Sequence, residues 1–304
     1  MKKKLLISAA VLLLLGGIFT VVCLICDWPP PRLILEYGFP PVGGPTGRRL
    51  TIESVEFLEL SPGYFRMGSD AMNYRGSCSG RLCDFLGLPS EDKPVPSNEM
   101  PLRWIEFPRP HWISRTEITN LSYERFDPKH ARGSSSNGDP EPVVNVSWLE
   151  ASEFCQWLTR NCGNCVRLPT EAEWERAGRA GSITEHSSGL VFPDPLKYSW
   201  YRDNSGHNAQ KVAILEANSW GLFDFDGNVS EWCADAYCRT YGGPSIDGPA
   251  PEELFGEDAR MQFKVVRGSS FNCRAATWRV DRFRRMPFRR SDEVGLRLAI
   301  SLSE

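Results

Sequence analysis

The sequence predicts one loop-rich α+β domain of low regular secondary-structure content, placed after an N-terminal membrane or signal segment. Three observations carry this expectation. Two helix starts with reciprocal caps flank a Cys-Gly-Asn-Cys stretch near the middle of the chain. Short alternating strands come before them, and after Gly181 helical periodicity gives way to Pro, Gly, Asn and aromatic residues. No internal repeat is visible. At 304 residues the chain can bury a core without depending on disulfide staples.

Residues 2–4 are lysines, and the stretch Leu5–Cys26 that follows is uncharged and mostly apolar, long enough to cross a bilayer as a helix. Lysines ahead of such a span stay in the cytoplasm, so the body is expected to be membrane-anchored or exported, on the periplasmic or cell-surface side. Val21 to Cys26 lacks the small residues of a cleavage site, which favours an uncleaved anchor over a signal peptide; lipid modification at Cys23 or Cys26 is the minor alternative. Asp27 to Arg49 mixes Pro29, Pro30, Pro31, Pro40, Pro41 and Pro45 with glycines and reads as a spacer. The expected organisation is therefore 1–26 anchor or signal, 27–49 linker and 50–304 folded domain.

"EFLELSPGYFRMGS" predicts a hairpin of two short strands around Ser61-Pro62-Gly63. Residues 69–103 read as an insertion that a Cys78–Cys83 disulfide could close. "VSWLEASEFCQWLTR" predicts a helix capped by Ser147 and Glu150, with Trp148, Ala151, Cys155 and Leu158 on one face. "RLPTEAEWERAGRAG" repeats the device with Thr170 and Glu173, and Gly178 and Gly181 supply the stop. For Cys162 and Cys165 a structural disulfide, with Cys155 involved, is preferred. No second half-site supports zinc there, and no thioredoxin-like unit supports redox chemistry. Eight cysteines follow the anchor, an even number that permits full pairing, Cys233 with Cys238 and Cys273 included.

The formal net charge of −3 gives no global field that would draw in nucleic acid. Residues 262–290 nevertheless hold nine Lys or Arg against one acid. Pairing of several of these arginines with carboxylates elsewhere is preferred to an anion site. In "GLFDFDGNVSEW", Asp224, Asp226, Asn228 and Glu231 crowd hard oxygens into one loop, as Ca²⁺ requires, while turn capping is the alternative. The spacing excludes an EF-hand.

"FRMGS", "TEITNLSYERF", "VVNVSWLEASEFCQWL", "RLPTEAEWERAGRAG", "NSWGLFDFDGNVSEW", "VVRGSSF" and "VGLRLAI" follow one another between residues 65 and 300. In this order they resemble the sulfatase-modifying-factor family, whose founding activity is the formylglycine-generating enzyme. The resemblance implies a C-type-lectin-related domain that often binds calcium. It maps calcium onto Asn228 and Glu231, with carbonyls of Gly227 or Val229 nearby, and a second calcium position onto Asn204 and Ser205. It also implies Cu⁺ held by two cysteines after an Arg-Gly-Gly-Ser turn. Aligning that turn on Arg267 to Ser270 puts Ser270 in the active-site serine position and Cys273 on the first copper cysteine. Trp278 stands where the second would be, and one thiolate without an imidazole is a weak site for Cu⁺.

Three functions follow from this reading. The first is formylglycine-type oxidation of an exported protein or peptide, with Cys273 as thiolate. The second is a different periplasmic oxidation, as in pyoverdine maturation. The third is a membrane-tethered, non-catalytic recognition or assembly module, in which Arg274, Arg279, Arg282, Arg284 and Arg285, with Trp278 and Phe283, line a partner surface.

Overall fold

Glu53 and Ser54 both take positive φ, 46° and 71°, and this two-residue turn joins strand β1 (Pro45–Ile52) to β2 (Val55–Leu60). The pairing is antiparallel, with Ile52 opposite Val55. The computed structural model describes residues 42–69, 97–182, 186–187, 195–238, 241, 262–274 and 282–301. The expected anchor, Cys78, Cys83, Trp278 and Arg279 lie outside these residues. Among the described residues no helix is long and apolar enough to cross a membrane. The folded unit runs Gly43–Glu304, and β1 begins inside the stretch read as spacer.

Both strands expected around Ser61-Pro62-Gly63 exist, but they do not form a hairpin with each other. β3 (Gly63–Met67) pairs with β4 (Arg103–Phe107) in a separate two-stranded sheet. Ser61 N donates to Gly44 O at 2.9 Å, and Gly44 N donates to Ser61 Oγ at 3.0 Å. These bonds tie the turn to the start of β1, while the free edge of β2 is taken by β5 (His111–Ser114). Strands β6 (Cys165–Arg167) and β11 (Ala299–Ser301) complete a five-stranded sheet of order β1-β2-β5-β11-β6. A second sheet has the order β10-β7-β8-β9, from β7 (Ser230–Ala236), β8 (Lys264–Arg267), β9 (Arg282–Arg285) and β10 (Val294–Gly295).

Four helices lie between the strands of the described chain: α1 (Asn120–Tyr123), α2 (Trp148–Cys162), α3 (Glu171–Arg179) and α4 (Pro195–Tyr198). Both expected capping boxes are present, Ser147 with Glu150 and Thr170 with Glu173. Gly163 ends α2 at φ 72°, whereas α3 is closed by Ala180 at φ 47°, with Gly178 inside the helix.

The five-stranded sheet separates two apolar clusters, as alternate residues of a strand must. Phe57 and Trp112 pack with Ala151, Phe154, Cys155 and Leu158 of α2 on one side. Leu58, Leu60 and Ile113 pack with Trp174 and Ala177 of α3 on the other. Trp148 is only half-buried, and its indole N–H donates to Cys233 O at 2.8 Å.

Candidate functional site

Gly268, directly after β8, takes φ +77°, and a side chain there would press on Trp174 and the carbonyl of Phe225. The turn it permits brings Ser269 and Ser270 back into the interior, and Ser270 to Cys273 form a tight turn closed by Cys273 N donating to Ser270 O at 3.0 Å. Within it, Ser270 N donates to Cys273 Sγ at 3.3 Å, and the Ser270 hydroxyl lies 3.6 Å from the same sulfur. Ser270 Oγ donates in turn to Glu293 Oε2 at 2.6 Å. Asn272 Nδ2 donates to Glu293 Oε1 at 3.1 Å. Arg202 closes the rim, its backbone N–H on Cys273 O and its Nε on Asn272 O, both at 3.0 Å.

Cys273 is half-buried, and it is free, like the buried Cys155 and Cys233, the half-buried Cys162 and Cys238 and the exposed Cys165. No disulfide joins any of the described cysteines, so the expected links among Cys155, Cys162 and Cys165, and between Cys233 and Cys238, are not formed. Cys155 and Cys233 serve as packing atoms in the two apolar clusters. Burial pushes the Cys155 thiol up to about 12 and raises that of Cys233 well above the ordinary thiol range, so both remain protonated.

The oxygen-rich loop is built, but not as a cation cage. Asn228, held at φ 61°, accepts Gln210 N on Oδ1 at 2.8 Å and donates through Nδ2 to Glu117 Oε2 at 2.6 Å. Glu117 Oε1 accepts Val229 N at 3.0 Å. Glu231 is gripped by Arg297, Nε to Oε2 at 2.5 Å and Nη2 to Oε1 at 2.6 Å, and also accepts the Trp174 indole N–H at 2.6 Å. Asp224 accepts Ala213 N, and Asp226 accepts both the N–H and the hydroxyl of Ser187.

Gly227 is fixed by close approach, because a Cβ there would collide with the carbonyl of Trp200. At the second expected calcium position, Asn204 Oδ1 accepts Tyr201 N at 2.8 Å and Ser205 Oγ donates to Phe271 O. These donor sets do not fit calcium. Asp226 Oδ1 is buried without a partner, but the other side-chain oxygens assigned to calcium already accept protein N–H groups or, at Ser205, donate, and a guanidinium occupies the cationic position beside Glu231. Among the described residues no group of three His, Cys, Asp or Glu could hold a metal ion. Copper fits no better at Cys273, whose sulfur has, among the described residues, a serine and no thiol or imidazole as its hydrogen-bonding neighbour.

Burial raises the carboxyls of three acids in this region, Glu117, Asp224 and Asp226. Burial, reinforced by Asp224 and Glu231, holds Glu117 well above the ordinary carboxyl range. Burial also lifts Asp224 to about 6 and Asp226 to about 7.

The expected pairing of the C-terminal arginines is present. Arg267 donates to Glu171 at 3.2 Å and to Glu175 at 2.8 Å, and Arg282 donates to Glu171 at 2.5 Å, all nearly shielded from solvent. Arg290 pairs with Glu150. Glu171 and Glu175 stand one turn apart on α3, a signal readable in "TEAEWE" that sequence reasoning left unused. Glu293, which holds Ser270 and Asn272, and Arg202, which meets the Cys273 carbonyl, were also missed, because no local spacing links them to the turn.

Residues 48–302 match the sulfatase-modifying factor enzyme 1-like domain. A formylglycine-generating enzyme of Streptomyces coelicolor is 30% identical over 189 residues, 54% of this chain and 51% of that protein. The inactive C-alpha-formylglycine-generating enzyme 2 of Mus musculus is 33% identical over 183 residues, 53% and 49% of the two chains. The matched segment thus spans about half the length of these relatives. Among solved structures, PvdO from Pseudomonas aeruginosa superposes with a TM-score of 0.67 at 24% identity, covering 85% of this chain and 99% of that one, a likeness of fold. Motif order, fold and a domain match across most of the sequence agree, and the chain belongs to the sulfatase-modifying-factor family.

Proposed function

We propose that the chain is an exported, membrane-tethered recognition module on the formylglycine-generating fold, acting on a protein or peptide partner without copper-dependent turnover. The observation that carries this reading is the surrounding of Cys273. Its sulfur accepts an N–H from Ser270, and behind the serine stand Glu293 and Asn272, hard oxygen and amide groups that do nothing to hold a soft Cu⁺ ion. The arginine pair at Glu231 supports the same view. A buried ion pair keeps that loop in shape where the family resemblance implies a metal.

A second reading, oxidation of another kind at the same turn, is favoured by one fact: Cys273 is a free thiol that is not fully buried. Incubating the full-length chain with Cu⁺, dioxygen and a cysteine peptide separates formylglycine-type oxidation from the recognition reading. The recognition reading expects no aldehyde product by mass spectrometry. Aldehyde that forms with the wild type and not with Cys273→Ala would overturn it.

A further inference from the structure

β9 is the edge strand of the four-stranded sheet among the described residues, paired to β8 on one side only. The carbonyl of Arg282 accepts Asn98 Nδ2 at 2.9 Å, so the first position of that edge is capped by a side chain. Peptide groups two residues apart in a strand point the same way. The N–H and C=O of Arg284 therefore lie on the side of the strand that Asn98 approaches, two residues beyond the cap.

The side chains around this edge are basic and aromatic. Residues 282–290 contain five arginines and no acid. Arg282 and Arg290 are engaged with Glu171 and Glu150. Arg284, Arg285 and Arg289 have no carboxylate partner among the described residues. Arg284 instead lies over the rings of Phe263 and Tyr237, with its guanidinium carbon 4.5 Å and 5.3 Å from the ring centres, and Arg285 lies over Phe283 at 5.7 Å. Arg285 Nε is shielded from solvent and has no hydrogen-bond acceptor. Phe263 and Phe288 remain 39% and 49% exposed beside the strand. Stacking fixes a guanidinium in position while leaving its N–H fork available for carboxylates.

We propose that β9 is a docking edge for an extended acidic segment of a partner protein, which adds as a further strand and sets its acids against Arg284 on one face of the sheet, with Arg285 on the other face and Arg289 past the strand end adding to the positive field. Backbone pairing supplies the register and the arginines select for acid, the division of labour expected of strand addition. The exposed phenylalanines give an apolar contact for residues that alternate with the acids. A nucleic acid or an anionic membrane would use the same charges but would have no need of the strand's peptide groups. The inference rests on the recognition reading and gives it a surface and a class of partner.

The test uses the full-length chain in detergent and a fluorescein-labelled Glu-Val-Glu-Val-Glu peptide, followed by anisotropy. Binding is expected to weaken about tenfold in the Arg284→Glu, Arg285→Glu double variant, a loss of about 1.4 kcal/mol. It should weaken similarly for the Gln-Val-Gln-Val-Gln peptide and for a peptide N-methylated at alternate positions, both of which probe the wild-type protein and so do not depend on how the variant folds. Absence of binding by the acidic peptide, equal binding of the N-methylated one, or exclusive binding to phosphatidylglycerol nanodiscs or to single-stranded DNA would overturn the proposal. Copper-dependent aldehyde formation would instead defeat the recognition reading while leaving peptide binding to be measured on its own.

Discussion

Arg297 holds both carboxylate oxygens of Glu231 in a site closed to solvent, at 2.5 and 2.6 Å, with its guanidinium 3.7 Å from the centre of the Phe225 ring. The two residues come from β10's following segment and from β7, and their pairing fixes the oxygen-rich loop against the last strand. Breaking such a pair by removing one partner leaves a buried charge without compensation. Arg297→Met should therefore lower unfolding free energy by about 3–5 kcal/mol in urea titrations. The Glu231→Leu, Arg297→Met double variant should lose clearly less than Arg297→Met alone.

Calcium should not contribute to stability. A site filled at one hundred times its dissociation constant would add about 2.7 kcal/mol and raise the melting temperature by several degrees. Thermal melts with millimolar calcium and with a chelator are expected to coincide. Separation of the two curves would show that the oxygens of Asn228 and Glu231 exchange their protein partners for an ion.

Asp235 gives a signed dependence on pH. Burial, with Glu171 adding repulsion, lifts its carboxyl to about 6, while Oδ2 accepts Glu171 N at 2.6 Å. The folded state keeps a proton that the unfolded state gives up near 4, so this group's favourable contribution is present below pH 4 and is lost as pH rises to 6. Asp235→Asn retains the acceptor and cannot ionise. It should stabilise the protein at pH 7 by about 3 kcal/mol at most, and by much less at pH 4. Glu173 has the opposite sign. Burial alone would raise its carboxyl, but Arg167 overrides that and holds it at about 2, so its stabilisation is full above the ordinary glutamate range and is lost progressively as pH falls from there through 2.

Thiol chemistry should separate the cysteines by burial. Cys155 and Cys233 are enclosed in the two apolar clusters and stay protonated, so iodoacetamide should spare them in the native protein. Cys273 and the exposed Cys165 should be alkylated. Peptide mapping before and after reduction checks this directly. Protection of Cys273 that reduction relieves would show a disulfide.

The helix starts were legible because each cap is written within four residues: Ser147 and Glu150, Thr170 and Glu173. The motif order that gave the family was legible for the same reason, since every motif is local. What failed was pairing at a distance. β2 and β3 carry the alternation of a hairpin, yet β2 closes on β5, whose residues lie some fifty positions later, and nothing between Ser61 and Gly63 encodes that. The calcium expectation took Glu231 as a free ligand, and its partner Arg297 lies 66 residues on. Ser270 likewise meets Glu293 across 23 residues. The excess of arginine after residue 262 was readable as a need for carboxylates, but which of them are satisfied and which remain at the β9 edge is settled only by packing.

The most direct measurement is a competition titration of Cu⁺ between a chromophoric chelator and the full-length chain, run on wild type and Cys273→Ala. Equal copper retention by the two proteins is the predicted result, since among the described residues the Cys273 sulfur is hydrogen-bonded to Ser270 alone and meets no second thiol. One equivalent of tightly held Cu⁺ in the wild type, lost in Cys273→Ala, would contradict the account and restore copper oxidation as the function of the turn.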